Sequence, residues 1–123
     1  MSYIMGFVTA VPKANKQKFI DHARLANPVF IEQGALRVWE CWGEDVPHGQ
    51  QTDFYRAVQA KDDEDIVFSW IEWPDKTACD AMSKKMPDIM ANDPRFSPEH
   101  NPSPFDGKRM IYGGFTPVVV LGK

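Results

Sequence analysis

Glu40 and Glu72 are the residues best suited to chemistry. Each stands among tryptophans in a strand-like run, with Trp39 and Trp42 around one and Trp70 and Trp73 around the other. Indole rings strip water from a carboxylate, which raises its pKa and fits it for general acid or base work. The two runs are expected to be antiparallel neighbours, bringing the carboxylates towards each other. The structural alternative is that either glutamate pairs with Arg37, Arg56 or Arg109, or meets water at a strand end. His22 is a third catalytic candidate, because imidazole titrates near neutrality. It lies close to an apolar stripe headed by Phe19, where a hydrogen-bonded or solvated helix histidine is the plainer reading.

Ligand-binding candidates have equally plain alternatives. Arg37 and Arg109, with Lys108, suit a carboxylate or phosphate, which arginine grips with two prongs. They suit internal salt bridges equally well. Tyr112 and Ser69 offer hydroxyls from strands, and Trp42 and Trp70 offer flat apolar walls. Aromatics in strands also build cores and interfaces. Some chemistries have no signature. No histidine has a ligand-like partner at helical spacing, so no metal is expected. Haem ligation through His22, His48 or His100 has no motif behind it, and no cofactor is expected. Gly113-Gly114 lies in a strand with no helix after it, unlike a phosphate-cradling loop.

Four strands and two long helices must position these residues. Ile66 to Trp73 is β-branched and aromatic, apolar on both faces, and ended by Pro74. Tyr3 to Val11 has the same two-faced apolar character. Such strands belong mid-sheet. Ala35 to Asp45 carries charge on both faces and reads as an edge strand. Arg109 to Phe115 is the fourth strand, with Gly113-Gly114 read as a bulge. Phe19, Ala23, Ala26 and Phe30 mark a helix from a cap at Asn15 to about Gln33, split by Pro28 and stopped by Gly34. Asp75 caps a second helix with Ala78, Met82 and Met86 inward, and Pro87 is expected to interrupt it. Between strands two and three, Thr52 is placed to cap a short helix from Asp53 to Val58, although the same residues could instead be extended. The proline-rich stretch 92–107 reads as a pinned loop.

The order strand, helix, strand, strand, helix, strand is the ferredoxin-like βαββαβ pattern, an α+β fold with an antiparallel four-stranded sheet. Its sheet order, 4-1-3-2, places the two doubly apolar strands in the middle. One domain spanning 1–123 is expected, since 123 residues suffice for a core without disulfide or metal. Cys41 and Cys79 are expected to be reduced thiols. The net charge of -3 does not favour nucleic acid. No signal-peptide pattern opens the chain, and no apolar run approaches the ~20 residues of a membrane span. A soluble cytoplasmic protein with no membrane partner is expected.

Both helices of this fold pack on one face of the sheet. Each aromatic left bare on the other face forgoes on the order of 2 kcal/mol of burial. A patch of that size implies a second copy, so a homodimer of the α+β barrel kind is expected. The tail Val118 to Leu121 is expected to add strand pairing or cross to the partner.

Gly34-Ala35-Leu36-Arg37-Val38, Glu40-Cys41-Trp42-Gly43, Phe68-Ser69-Trp70-Ile71 and Phe105 to Phe115 together resemble the bacterial family of domain of unknown function 1428, the YbaA-like proteins. The resemblance spans nearly the whole chain and implies the dimeric α+β barrel superfamily. It carries no established activity and so no catalytic residues. The functional expectation is a small organic molecule bound or converted between sheet and helices. The alternative is a non-catalytic homodimeric interaction or regulatory module.

Overall fold

The two strands that are apolar on both faces lie at the centre of the sheet. In a computed structural model that describes residues 2–122, β1 (Tyr3–Pro12) and β3 (Glu64–Trp73) pair antiparallel from Tyr3 opposite Trp73 to Pro12 opposite Glu64. The charged β2 (Arg37–Trp42) is an edge beside β3, and β4 (Ile111–Phe115) is the other edge beside β1. The order β2-β3-β1-β4 is the ferredoxin-like arrangement.

Helix α1 (Lys16–Ala26) buries the stripe Phe19, Ala23 and Ala26. Pro28 cannot continue it and instead starts α2 (Pro28–Glu32), where a missing N–H costs nothing. Gly34, at φ +107°, makes the left-handed turn into β2. Asn15 does not cap α1; its amide donates to the Pro104 carbonyl at 2.8 Å. Helix α3 (Phe54–Ala57) is capped by Asp53 rather than Thr52: the Asp53 carboxylate accepts from the Arg56 N–H at 2.8 Å. Asp75 caps α4 (Lys76–Asn92) by accepting from the Ala78 N–H at 2.8 Å.

Two expected interruptions do not occur. Helix α4 runs through Pro87. Both Pro87 and Ser83, whose carbonyl loses its partner there, face water, so solvent replaces the missing bond. Gly113 and Gly114 form no bulge: Gly6 faces Gly113 and Met5 faces Gly114 in unbroken register. The glycines instead make room, since a Cβ on Gly114 would meet the Tyr3 ring and one on Gly113 would touch Phe115 at 3.4 Å.

Helices α1 and α4 cover one face of the sheet, the inner face. Ile71, Trp73, Cys79 and Met82 form one cluster there, and Val11, Phe19 and Val67 another. On the outer face, the α3 segment covers only one end, where Val58 packs on Ala10 and Ile66. The remainder of that face is bare. No helix among the described residues is long and apolar enough to cross a membrane.

Candidate functional site

Between the inner face of the sheet and helices α1 and α2 lies a cavity of about 210 Å³. Its walls are chiefly apolar: Phe7, Phe19, Phe30, Val38, Phe96 and Phe105. A few polar groups enter it, namely Thr9 and Ser69 from the central strands, His22 and Asn27 from the helical side, and Glu40 from β2. An apolar hollow with a few directed polar groups is the usual form of a small-molecule site. A second groove between β2 and α1 shares Phe19, Ala23, Asn27, Val38 and Glu40 with the cavity and adds Lys16, Arg24 and Trp42. Glu40 is exposed, and its carboxylate accepts from the Asn27 amide at a long 3.4 Å.

The loop that follows α4 closes the cavity, and it is tied down at several points. Asp93 accepts from the backbone N–H of Arg95 at 3.0 Å, and the Arg95 guanidinium grips Glu32 and Asp93 at 2.7 and 2.8 Å. These charge-assisted bonds hold both carboxyls below their ordinary range, chiefly through the side-chain bonds from Arg95. Buried Asn101 bonds back to α1 at His22. Phe105 then packs on Phe19 and His22 at centroid distances of 6.0 and 6.3 Å.

The sheet separates the expected acid pair. Arg37 faces Glu72 across the β2–β3 ladder, and Glu40 faces Ser69. Cross-strand partners share a face, and side chains alternate along a strand. Glu40, three residues from Arg37, therefore points inward, while Glu72 points outward with Arg37 and bonds it at 2.9 Å. The two carboxylates do not meet, and Glu72 takes the salt-bridge alternative.

Four expected residues gather at the inner cavity and its lip: His22, Glu40, Ser69 and Trp42. Trp42 sits at the lip, donating its indole N–H to Asp65 at 3.0 Å, with the Lys16 ammonium 5.6 Å from its ring centre. The Trp70 ring lies on the outer face, stacked on Trp39 at 5.3 Å and 14°, and Arg37 caps that stack at 5.9 Å. Tyr112 stands at the β4 edge, 69% exposed, against Phe7 at 6.2 Å.

Arg109 is occupied by structural contacts. Its guanidinium forms two 2.7 Å bonds to buried Glu64 and others to Asp106 and the Gln59 carbonyl. The bonds from Arg109 hold the Glu64 carboxyl below the usual range despite its burial. This clamp fastens the turn before β4 to the start of β3. Among the described residues, no group of three or more His, Cys, Asp or Glu side chains is placed to hold a metal ion.

Asn101, Asn27 and Thr9 were not among the residues singled out from the sequence. Thr9 lies on a strand face already read as apolar, and neither asparagine carries a local pattern that predicts its contact.

Comparison with known proteins fits this geometry. The profile of a family described as "Protein of unknown function (DUF1428)" matches residues 2–107. The chain is 50% identical over 119 residues to the uncharacterized protein YbaA of Escherichia coli K12, covering 97% of this chain and 98% of that one. The YbaA protein of Shigella flexneri matches with the same identity and coverage. Among solved structures, a dimeric ferredoxin-like protein from an uncultured marine organism aligns over 100% of both chains, at a TM-score of 0.55 and 16% identity. That likeness is one of fold.

Proposed function

The chain belongs to the DUF1428 family, and from that premise we propose that it binds a small organic molecule in the cavity between sheet and helices, and does so as a homodimer. The observation that carries the binding reading is the inner cavity itself. It is walled by aromatic and aliphatic side chains, and His22, Asn27, Glu40, Thr9 and Ser69 supply its polar groups. The adjoining groove between β2 and α1 supports an entry route past Glu40 and Trp42. Glu40 and His22 are the groups proposed to meet the ligand's polar atoms, with Trp42 at the lip.

The dimer reading rests on the outer face. Phe68, Ile111 and Phe115 are exposed there around a hollow that Ile4, Gly6, Val8 and Trp70 also line, and exposed Trp39 extends the patch by stacking on Trp70. An apolar field of this kind on a small domain calls for cover. The marine neighbour with the same fold is described as dimeric, which supports a second copy as that cover.

A thermal-shift screen of small organic acids, phenols and amines tests the binding reading. Hits are expected to raise the Tm of the wild-type protein and to lose that effect in Glu40→Gln. If no compound shifts the Tm at millimolar concentration, the non-catalytic interaction module becomes the better reading.

A further inference from the structure

Asn101 is buried, and its two polar atoms are all committed. Its amide nitrogen donates to two backbone carbonyls, of Arg95 at 2.8 Å and of His22 at 3.3 Å. Both partners are acceptors only, which fixes the orientation of the amide: the NH₂ must face them. The amide oxygen is then the atom 2.9 Å from His22 Nδ1. An amide oxygen can only accept, so Nδ1 must carry a proton. Neutral imidazole carries a single N–H. With Nδ1 protonated, the lone pair resides on Nε2.

That second nitrogen forms no hydrogen bond with another described residue, and the ring belongs to the wall of the inner cavity. Nδ1 is spent on Asn101, so the ring edge left for an occupant of the cavity is the one bearing Nε2. The other polar groups of the wall are two hydroxyls, an amide and a carboxylate. Only Nε2 among them is a neutral nitrogen acceptor. The Arg95 clamp supports the arrangement from behind, since the carbonyl that orients Asn101 belongs to the residue gripped by Glu32 and Asp93.

We infer that Asn101 is a positioning residue that fixes His22 in the Nδ1–H tautomer, so that Nε2 serves the cavity as acceptor for an O–H or N–H donor on a compact, largely apolar ligand. This deepens the binding proposal and rests on it. A ligand carrying a weakly acidic O–H would meet a base whose proton-accepting atom is already defined, with no tautomer exchange needed on binding.

Long-range proton–nitrogen correlation spectra of the histidine rings test the inference, with His22→Gln identifying the signals. At mildly alkaline pH, wild-type His22 should show a protonated Nδ1 and a pyridine-like Nε2. In Asn101→Ala the ring should shift towards the Nε2–H form preferred by unconstrained imidazole. Addition of phenol, a compact ring whose one hydroxyl stays protonated at that pH, should move the Nε2 signal, and its affinity should fall about tenfold in His22→Gln. A wild-type ring protonated at Nε2 would overturn the inference without reference to any variant. So would a bound probe that leaves Nε2 unmoved. A correct tautomer without phenol binding would support the assignment of Asn101 and count instead against the cavity as a site for such molecules.

Discussion

Glu40 and Glu72 face opposite sides of one sheet, because Glu72 sits across the ladder from Arg37 while Glu40 sits across from Ser69. The two carboxylates therefore belong to separate environments, and their substitutions should act independently. Glu40→Gln is expected to weaken ligand binding in the inner cavity without altering association. Glu72→Gln should leave binding unchanged, because it touches only the outer Arg37 pair. In the double variant the stability changes should add to within about 0.5 kcal/mol. Coupling well beyond that, measured by denaturant titration, would contradict the separation.

The Arg109–Glu64 clamp should be asymmetric. Removing the arginine leaves a carboxylate buried beside the sheet with only the Lys61 N–H to serve it. Removing the carboxylate charge leaves an arginine that still holds Asp106 and the Gln59 carbonyl. Arg109→Met is therefore expected to lower Tm by on the order of 10 °C, and Glu64→Gln by clearly less. Equal losses in thermal melts would show that the buried charge is not the controlling term.

Acid should find the same clamp. The Glu64 carboxyl lies below its ordinary range, first through the hydrogen bonds from Arg109. A carboxyl depressed in the folded state contributes stability above its unfolded pKa, and that contribution fades as pH falls through the folded value. Glu32 and Asp93 share the direction through Arg95. Stability is expected to be level above about pH 5 and to fall progressively below about pH 4. The gap in Tm between neutral and acid pH should narrow in Arg109→Met. A gap of unchanged size would remove this pair as a source of the acid response.

Phe68 lies on the outer face, 47% exposed, between Trp70 at 5.6 Å and Phe54 at 6.2 Å. Under the dimer proposal, Phe68→Glu should convert the assembly to a 14.0 kDa particle in light scattering. Its melting should then become independent of protein concentration. A wild-type protein that already scatters as a single chain, or a variant that keeps the larger size, would take this face out of the interface.

Gly43 ends β2 against a neighbour that cannot yield. Its N–H donates to the Ile66 carbonyl at 2.6 Å, and a Cβ would lie 2.6 Å from that same oxygen. Gly43→Ala is expected to cost about 1–3 kcal/mol by denaturant titration and to disturb Trp42 beside it. A neutral effect would show that the strand end can shift.

The order and burial of the sheet were legible from local pattern. Two strands apolar on both faces identified themselves as central, and Phe19, Ala23 and Ala26 announced the buried side of α1. The composition of the site was less legible, for a geometric reason. Each strand's alternation sorts its residues into two faces, but nothing within a strand says which face meets the helices. That is decided by register, and register places Glu40 inward and Glu72 outward. The contact between Asn101 and His22 spans 79 residues and depends on the Arg95 clamp, so no local window contains it. Gly113 and Gly114 misled for a related reason. Their need for space arises from the side chains of Tyr3 and Phe115 lying over them, not from a break in pairing.

The near-parallel indoles of Trp39 and Trp70 carry a spectroscopic consequence. Two transition dipoles held this closely couple, so the far-ultraviolet circular dichroism should contain a paired positive and negative band that no isolated tryptophan produces. The molecule thus carries an unlabelled gauge of β2–β3 alignment, positioned on the surface where anything docking against the sheet would perturb it.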